Sequence, residues 1–171
     1  MAASPGDPGE SGGGRLQREI RQNRPFHSRG QEAFLSLLRT GDVVKHRFQE
    51  LFERAGITFQ QYNVLRILRG AGADGLPTLE IGDRMIERTP GVTRLLDRLE
   101  AKGLVQRRRS PEDRRKVLCH ISPQGLELLA SLDAPVTEAD EMVFEGMDVA
   151  DLDTLIRILD RLRDQMEADT D

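Results

Sequence analysis

Thr89-Pro90-Gly91-Val92-Thr93-Arg94-Leu95-Leu96-Asp97-Arg98-Leu99-Glu100-Ala101-Lys102-Gly103-Leu104-Val105 is the stretch whose reading decides the fold of this 171-residue chain. It reads as one well-punctuated helix. Thr89 can cap with its hydroxyl, Pro90 sits where a missing N–H costs nothing, and Gly103 can take the left-handed conformation that ends a helix. Val92, Leu95, Leu96 and Leu99 recur at helical spacing, and Thr93, Arg94, Asp97 and Arg98 cover another arc. One face is expected to pack and the other to stay free.

Working outward, Thr78 opens a shorter helix with Leu79, Ile81, Met85 and Ile86 on its apolar side, and Ile86 to Thr89 supplies a turn into the longer one. After Gly103 the pattern becomes extended. Leu104 and Val105 begin one strand, Val117 to Ile121 form a second, and Ser110-Pro111-Glu112-Asp113 marks a turn between them. The hairpin carries Arg107, Arg108, Arg109, Arg114, Arg115 and Lys116, more charge than a turn needs. Two short helices, a tight turn and a basic hairpin are the layout of a winged helix-turn-helix, whose second helix is of a length to enter a DNA major groove.

Local charge supports that reading. From Thr89 to Leu118 nine basic residues face four acidic ones, a net of +5, and from Asp133 onward thirteen acidic residues face three arginines, a net of −10. The formal total is −4. Attraction to a phosphate backbone depends on the local field, so an acidic total does not argue against DNA binding. The acidic end is expected to face away from the duplex.

The flanks are helical. Ser28 with Gln31 makes a capping-box signature before a long run holding Phe34, Leu35, Leu37, Leu38, Val43, Val44, Phe48, Leu51 and Phe52, which Gly56 stops. Thr58 and Gln61 repeat the box before Tyr62, Val64, Leu65, Ile67 and Leu68. Ser122-Pro123 starts another helix, expected to bend near Pro135 and stop near Gly146. Asp148 caps the last one, where Leu152, Leu155, Ile156, Leu159, Leu162 and Met166 recur. These terminal helices carry more apolar surface than a monomer of this size needs, which points to a shared dimer interface.

At this point a resemblance becomes specific. Thr78-Leu79-Glu80-Ile81, the run from Thr89 to Val105, and Glu112-Asp113-Arg114-Arg115 resemble the MarR family of bacterial transcription regulators, over about His27 to Ala168. The resemblance implies a homodimer with a winged helix in each subunit, bound to a pseudo-palindromic double-stranded operator, with recognition helices roughly 34 Å apart in successive major grooves. It implies that Arg115 reaches into the minor groove and that Asp113 orients it. It also implies a repressor released by a small aromatic or amphipathic acid bound between the dimerisation helices and the DNA-binding part, where His46 and Tyr62 are candidate lining residues.

The expected architecture is mainly α (α+β): a tail over 1–26 without fixed structure, then a single domain over 27–168. Within it, 27–57 and 122–168 are dimerisation helices and 58–121 the winged part. Thr78, Thr89, Thr93, Arg94, Arg98, Arg107, Arg108, Arg109, Asp113, Arg114 and Arg115 are the candidate DNA-binding residues. The tail is rich in Gly, Pro and Ser, and no run has the length or apolarity of a signal peptide or membrane span, so a cytoplasmic protein is expected. No phosphate-binding Gly loop or nucleophile elbow occurs, so no enzyme and no cofactor are expected. Cys119 and His120 are neighbours on a strand, where they point to opposite faces and do not suit a shared metal ion. Two other classes remain open: a redox sensor using Cys119, and a sequence-nonspecific architectural DNA-binding protein, which would usually be basic overall.

Overall fold

The computed structural model describes residues 14–168 apart from Arg88, Thr89, Pro111 and Arg114. Its elements run α1 (Arg15–Glu19), α2 (Arg29–Arg54), α3 (Phe59–Ala71), a single 3-10 turn over Gly72–Asp74, β1 (Leu76–Pro77), α4 (Thr78–Asp83), α5 (Val92–Ala101), β2 (Val105–Arg109), β3 (Val117–Ile121), α6 (Pro123–Val143) and α7 (Val149–Ala168). The fold is mainly α with one small antiparallel sheet, as expected. Two compact units, Met1–Arg47 and Phe48–Asp171, divide within α2.

In the first unit, the expectation of an unstructured segment through residue 26 is corrected from Arg15 on. Arg15 and Glu19 pair at 2.7 Å one turn apart, the Gln17 side chain donates to the Gln22 carbonyl at 3.2 Å, and Leu16 is buried. A single apolar anchor is enough to order this short turn, and low average hydrophobicity hid it. At the start of α2, Ser28 Oγ accepts from Gln31 N at 3.1 Å, and the Gln31 side chain accepts from His27 N at 2.7 Å, one residue further back than a standard capping box. Phe34, Leu37, Leu38 and Val43 are exposed along this part of α2.

The second unit holds the winged part. Phe52, fully buried, stacks on Tyr62 with ring centroids 4.3 Å apart and meets Phe48 and Phe59 at 6.3 and 5.9 Å. Thr58 and Gln61 form the reciprocal box expected of them, each bond 3.2 Å, and start α3. Val64, Leu65 and Leu68 of α3 then sit without solvent contact in the core with Ile81, Leu96, Leu99 and Leu129. These are the apolar positions that helical periodicity selects.

The sheet has the order β1-β3-β2, and β3 pairs antiparallel with both neighbours. The hairpin strands fall where extended patterning puts them. β1 is an addition: two residues at the edge of the sheet, where Pro77, with no N–H to donate, costs no ladder bond. Too short to show an alternation, it left no signal in the sequence.

Two helix limits differ from expectation. The short helix ends at Asp83 rather than carrying on to Ile86; Met85 is still buried, but Ile86 lies in the turn, where its N–H donates to the Asn63 side chain at 2.9 Å. The longer helix starts at Val92 and not at Pro90, because Gly91 takes the left-handed conformation, φ 98° and ψ 33°, which interrupts a right-handed helix. The proposed Thr89 cap lies outside the described residues.

α6 begins at a cap with two functions. Ser122 Oγ accepts from Gly125 N at 3.0 Å and donates to the Gly103 carbonyl at 2.6 Å, so the same hydroxyl starts α6 and satisfies the segment that ends α5. The helix runs through Pro135 to Val143. Arg69 of α3 holds Asp133 of α6 by two bonds of 3.0 and 2.9 Å. Asp148 caps α7 by accepting from Asp151 N at 2.8 Å, yet no residue of α7 is buried.

Gly125 packs so closely on the Leu104 carbonyl that a Cβ there would lie 2.4 Å from the oxygen, whereas a Cβ on Gly70 meets open space. Gly125→Ala is therefore expected to destabilise the fold by about 1–3 kcal/mol through overpacking. Gly70→Ala, in a helix, should be neutral or stabilise by up to about 1 kcal/mol. Urea denaturation of the two variants checks both signs.

Candidate nucleic-acid interface

α5 separates its faces as its sequence requires. Leu96 and Leu99 are inaccessible to solvent, while Thr93, Arg94, Asp97 and Arg98 are exposed. Its far end is tied down by Lys102, whose Nζ donates to the Gly56 carbonyl at 2.5 Å and to the Gln61 side chain at 3.2 Å. The helix is thus pinned to the α2–α3 corner, and its first turns are left to present Thr93 and Arg94.

The hairpin closes through Ser110, whose N–H donates to the Lys116 carbonyl at 2.9 Å and whose buried Oγ accepts from the N–H groups of Glu112 and Asp113. Asp113 Oδ1 accepts from Arg115 twice, from its backbone N–H at 3.0 Å and its side-chain Nε at 3.3 Å. The Arg115 side chain is 93% exposed even so. This arrangement aims a guanidinium outward from the wing with its root fixed. The two hydrogen bonds from Arg115, backbone first, hold the Asp113 carboxyl below its ordinary pKa. Arg114, between them in sequence, lies outside the described residues, as does Thr89.

The three consecutive arginines of β2 do not behave alike. Arg108 and Arg109 are exposed, Arg108 donating to Gln106 at 2.7 Å. Arg107 turns back. Its Nη1 meets Asp97 at 2.7 Å and Glu100 at 2.9 Å, its Nη2 reaches the Thr93 carbonyl at 3.3 Å, and its side chain is only 23% exposed. Burial opposes its charge, but the hydrogen bond to Asp97 and the charges of Asp97 and Glu100 outweigh that and raise its pKa. Strand alternation could have found this: Val105 points into the core, so Arg107, two residues on, shares its face.

Thr78 stands at the start of α4, half-buried, without a capping bond; its Oγ1 lies 4.0 Å from Cys119 Sγ. Cys119 has no solvent contact on the central strand. A thiol so placed is a poor target for an oxidant, which needs access as well as thiolate character. Among the described residues no group of three or more His, Cys, Asp or Glu could hold a metal ion, and no helix is long and apolar enough to cross a membrane.

Of the two candidate effector residues, His46 is exposed on α2. Tyr62 is buried in the aromatic cluster, and its hydroxyl accepts from Arg66 at 3.1 Å. A cleft of about 400 Å³ opens between α4 and the start of α5, with Thr78, Leu79, Asp83, Pro90 and Thr93 on its walls.

Comparison with known proteins agrees with this fold. The family model described as MarR family matches residues 57–117. A crystal structure of a MarR transcription factor from Planctomyces limnophilus is 41% identical, with a TM-score of 0.61 over 79% of this chain and 98% of that one. BpsR of Bordetella bronchiseptica, whose structure concerns regulation of DNA binding by 6-hydroxynicotinic acid, is 25% identical, with a TM-score of 0.70 over 82% of this chain and 99% of its own. A putative transcriptional regulatory protein for the hcr operon of Thauera aromatica is 29% identical over 73% of this chain and 75% of that protein.

The wing contact has a pH signature. A carboxylate whose folded pKa is depressed keeps its contact above the unfolded value, about 3.9, and loses it as pH falls through the folded one. The amide resonance of Arg115 is therefore expected to titrate with a midpoint below about 3.9, and Asp113→Asn to abolish that titration. A midpoint at or above the ordinary value, read by NMR, contradicts the contact.

Proposed function

Because this chain belongs to the MarR family of DNA-binding transcription regulators, we propose that it is a homodimeric, sequence-specific repressor. It occupies a pseudo-palindromic operator and leaves when a small aromatic or amphipathic acid binds. The observation that carries DNA recognition is the pairing of an α5 that exposes Thr93, Arg94 and Arg98 with a wing that holds Arg115 outward from Asp113. Thr93 and Arg94 read base edges in the major groove, Arg98, Arg108 and Arg109 meet phosphates, and Arg115 enters the minor groove, where negative potential is concentrated.

Dimerisation rests on α7. Ile158, Leu162 and Met166 are exposed along one stripe of a helix with no buried residue, and Leu152, Leu155 and Leu159 beside them are only half-buried; apolar surface of this kind favours a covering partner. A second copy is the occupant that two-fold operator symmetry requires. The effector proposal is supported by the regulation of BpsR DNA binding by 6-hydroxynicotinic acid; of its candidate residues, Tyr62 is buried in the aromatic cluster and His46 is exposed. Repression follows from steric occupation of a promoter. Full burial of Cys119 speaks against the redox alternative, and the names of the relatives speak against a purely architectural one.

Selection from a random DNA pool followed by footprinting tests the reading directly; failure to recover any motif refutes it. Arg115→Ala is expected to weaken operator binding by about 1–3 kcal/mol with the melting temperature unchanged. Arg94→Ala should relax base preference in the selected motif. Removal of residues from Asp148 onward should yield aggregates or poorly folded monomer by light scattering, and a soluble, cooperatively melting monomer contradicts the dimer.

A further inference from the structure

We propose that Arg107 is a positioning residue, a latch that fixes the recognition helix against the wing, and not one of the phosphate contacts of the basic hairpin. The inference rests on the DNA-binding reading above and assigns one arginine within it a different task. Arg107 is the point where β2 meets α5. Its guanidinium touches three acceptors along one stripe of the helix, the Thr93 carbonyl, Asp97 and Glu100, at 3.3, 2.7 and 2.9 Å, and its own backbone N–H donates to Glu100 at 3.3 Å. Directly across the sheet it pairs with Cys119, buried on the central strand.

Three consequences follow from that geometry. The guanidinium donors directed at α5 are spent on protein oxygens, so approach to a phosphate would require breaking contacts to two carboxylates. Asp97 and Glu100 are partly exposed acids on the helix expected to meet DNA, and Arg107 offsets their repulsion of the backbone. Most of all, the helix enters the major groove while Arg115, on the wing, enters the minor groove. The angle between the two is set by whatever joins β2 to α5, and the charged part of that joint is Arg107. A planar fork bridging two carboxylates and a carbonyl holds an angle in a way that an ammonium of the same charge does not.

Charge-preserving and charge-adding variants separate a latch from a phosphate contact. In Arg107→Lys the positive charge remains but the fork is lost. We expect about a tenfold fall in the ratio of operator to nonspecific affinity, with the dependence of log K on log salt unchanged. In Asp97→Asn combined with Glu100→Gln, Arg107 is untouched and the surface becomes more positive. Nonspecific binding should rise while that ratio falls. A phosphate contact gives the opposite pattern: Arg107→Lys close to wild type, Arg107→Gln losing affinity for all DNA alike with a salt slope reduced by about 0.9, and the double variant binding every sequence more tightly at unchanged selectivity. Any of these three results overturns the latch. Melting curves of each variant exclude unfolding, and Arg107→Lys, the mildest change, keeps the test open if Arg107→Gln does not fold. Wild-type protein that selects no motif would bring down the DNA-recognition reading instead, a result visible before any variant is compared.

Discussion

The burial of one face of α5 is the constraint on which the rest of the winged part depends. A ten-residue helix is marginal in water by itself, so its position comes from what Leu96 and Leu99 pack against. Those two side chains fix the rotation of the helix about its axis, and rotation decides which residues face outward. With Leu96 and Leu99 inward, Thr93, Arg94 and Arg98 have nowhere to go but solvent. Polar ties then fix the remaining freedoms. Lys102 holds the far end to the α2–α3 corner, and Asn63 holds the turn that precedes the helix. The Asn63 tie uses a buried amide that would be costly to leave unbonded, so it gives orientation as well as energy.

The wing obeys a different logic, because it has little to bury. Its strands share the sheet with β1, and Val105 and Cys119 give it a footing in the core. Beyond that footing the hairpin is held by hydrogen bonds within itself, from Ser110 and Asp113. A tip of this kind can carry dense positive charge without disturbing the core, since its charges stay in high dielectric and repel one another weakly. Arg107 marks the boundary between the two regimes: it lies where the sheet still touches the helix, and there the same residue type that is solvated two positions later is partly buried and paired.

Much of this was legible in the sequence for identifiable reasons. α3 and β3 were readable because a capping box and a short, mostly apolar run beyond a turn signal are local signals, complete within a few residues. The Asp113–Arg115 contact was legible only through resemblance, and the geometry supplies its physical content. The errors share a cause. Ile86 fits a helical pattern and Pro90 a helix start, but Gly91 and the Asn63 bond, one a backbone conformation and the other a partner more than twenty residues away, decide those limits. Arg107 was grouped with its neighbours because three arginines in a row look like one feature, whereas alternation turns Arg108 to the other face and only Arg107, next to the helix, meets α5. Leu16 shows the reverse case, where composition averages away a single anchor.

The two ends of the protein differ in what they leave unfinished. Within the winged part Val64, Leu65, Leu68, Ile81, Leu96 and Leu99 lie in the core that periodicity assigns them to, while Leu79 and Ile86 stay exposed, and among the described residues no buried side-chain nitrogen or oxygen lacks a partner. α7 is the opposite: twenty residues, regularly spaced leucines and isoleucines, and none buried. A chain that needed α7 only for its own stability would bury that stripe on itself, as α3 buries Val64, Leu65 and Leu68. In the proposed dimer that surface also sets how the two subunits sit relative to each other. The covering copy carries the second recognition helix, so anything that alters how two α7 helices meet alters the spacing of two α5 helices on DNA. Coupling of this kind is reciprocal: a ligand that disfavours the operator-matched spacing must bind free protein more tightly than DNA-bound protein, by about 1.4 kcal/mol for each tenfold loss of operator affinity. A rigid joint between helix and wing is what lets such a shift reach the DNA as a change in spacing and not dissipate within each subunit, which ties the role proposed for Arg107 to regulation as well as recognition.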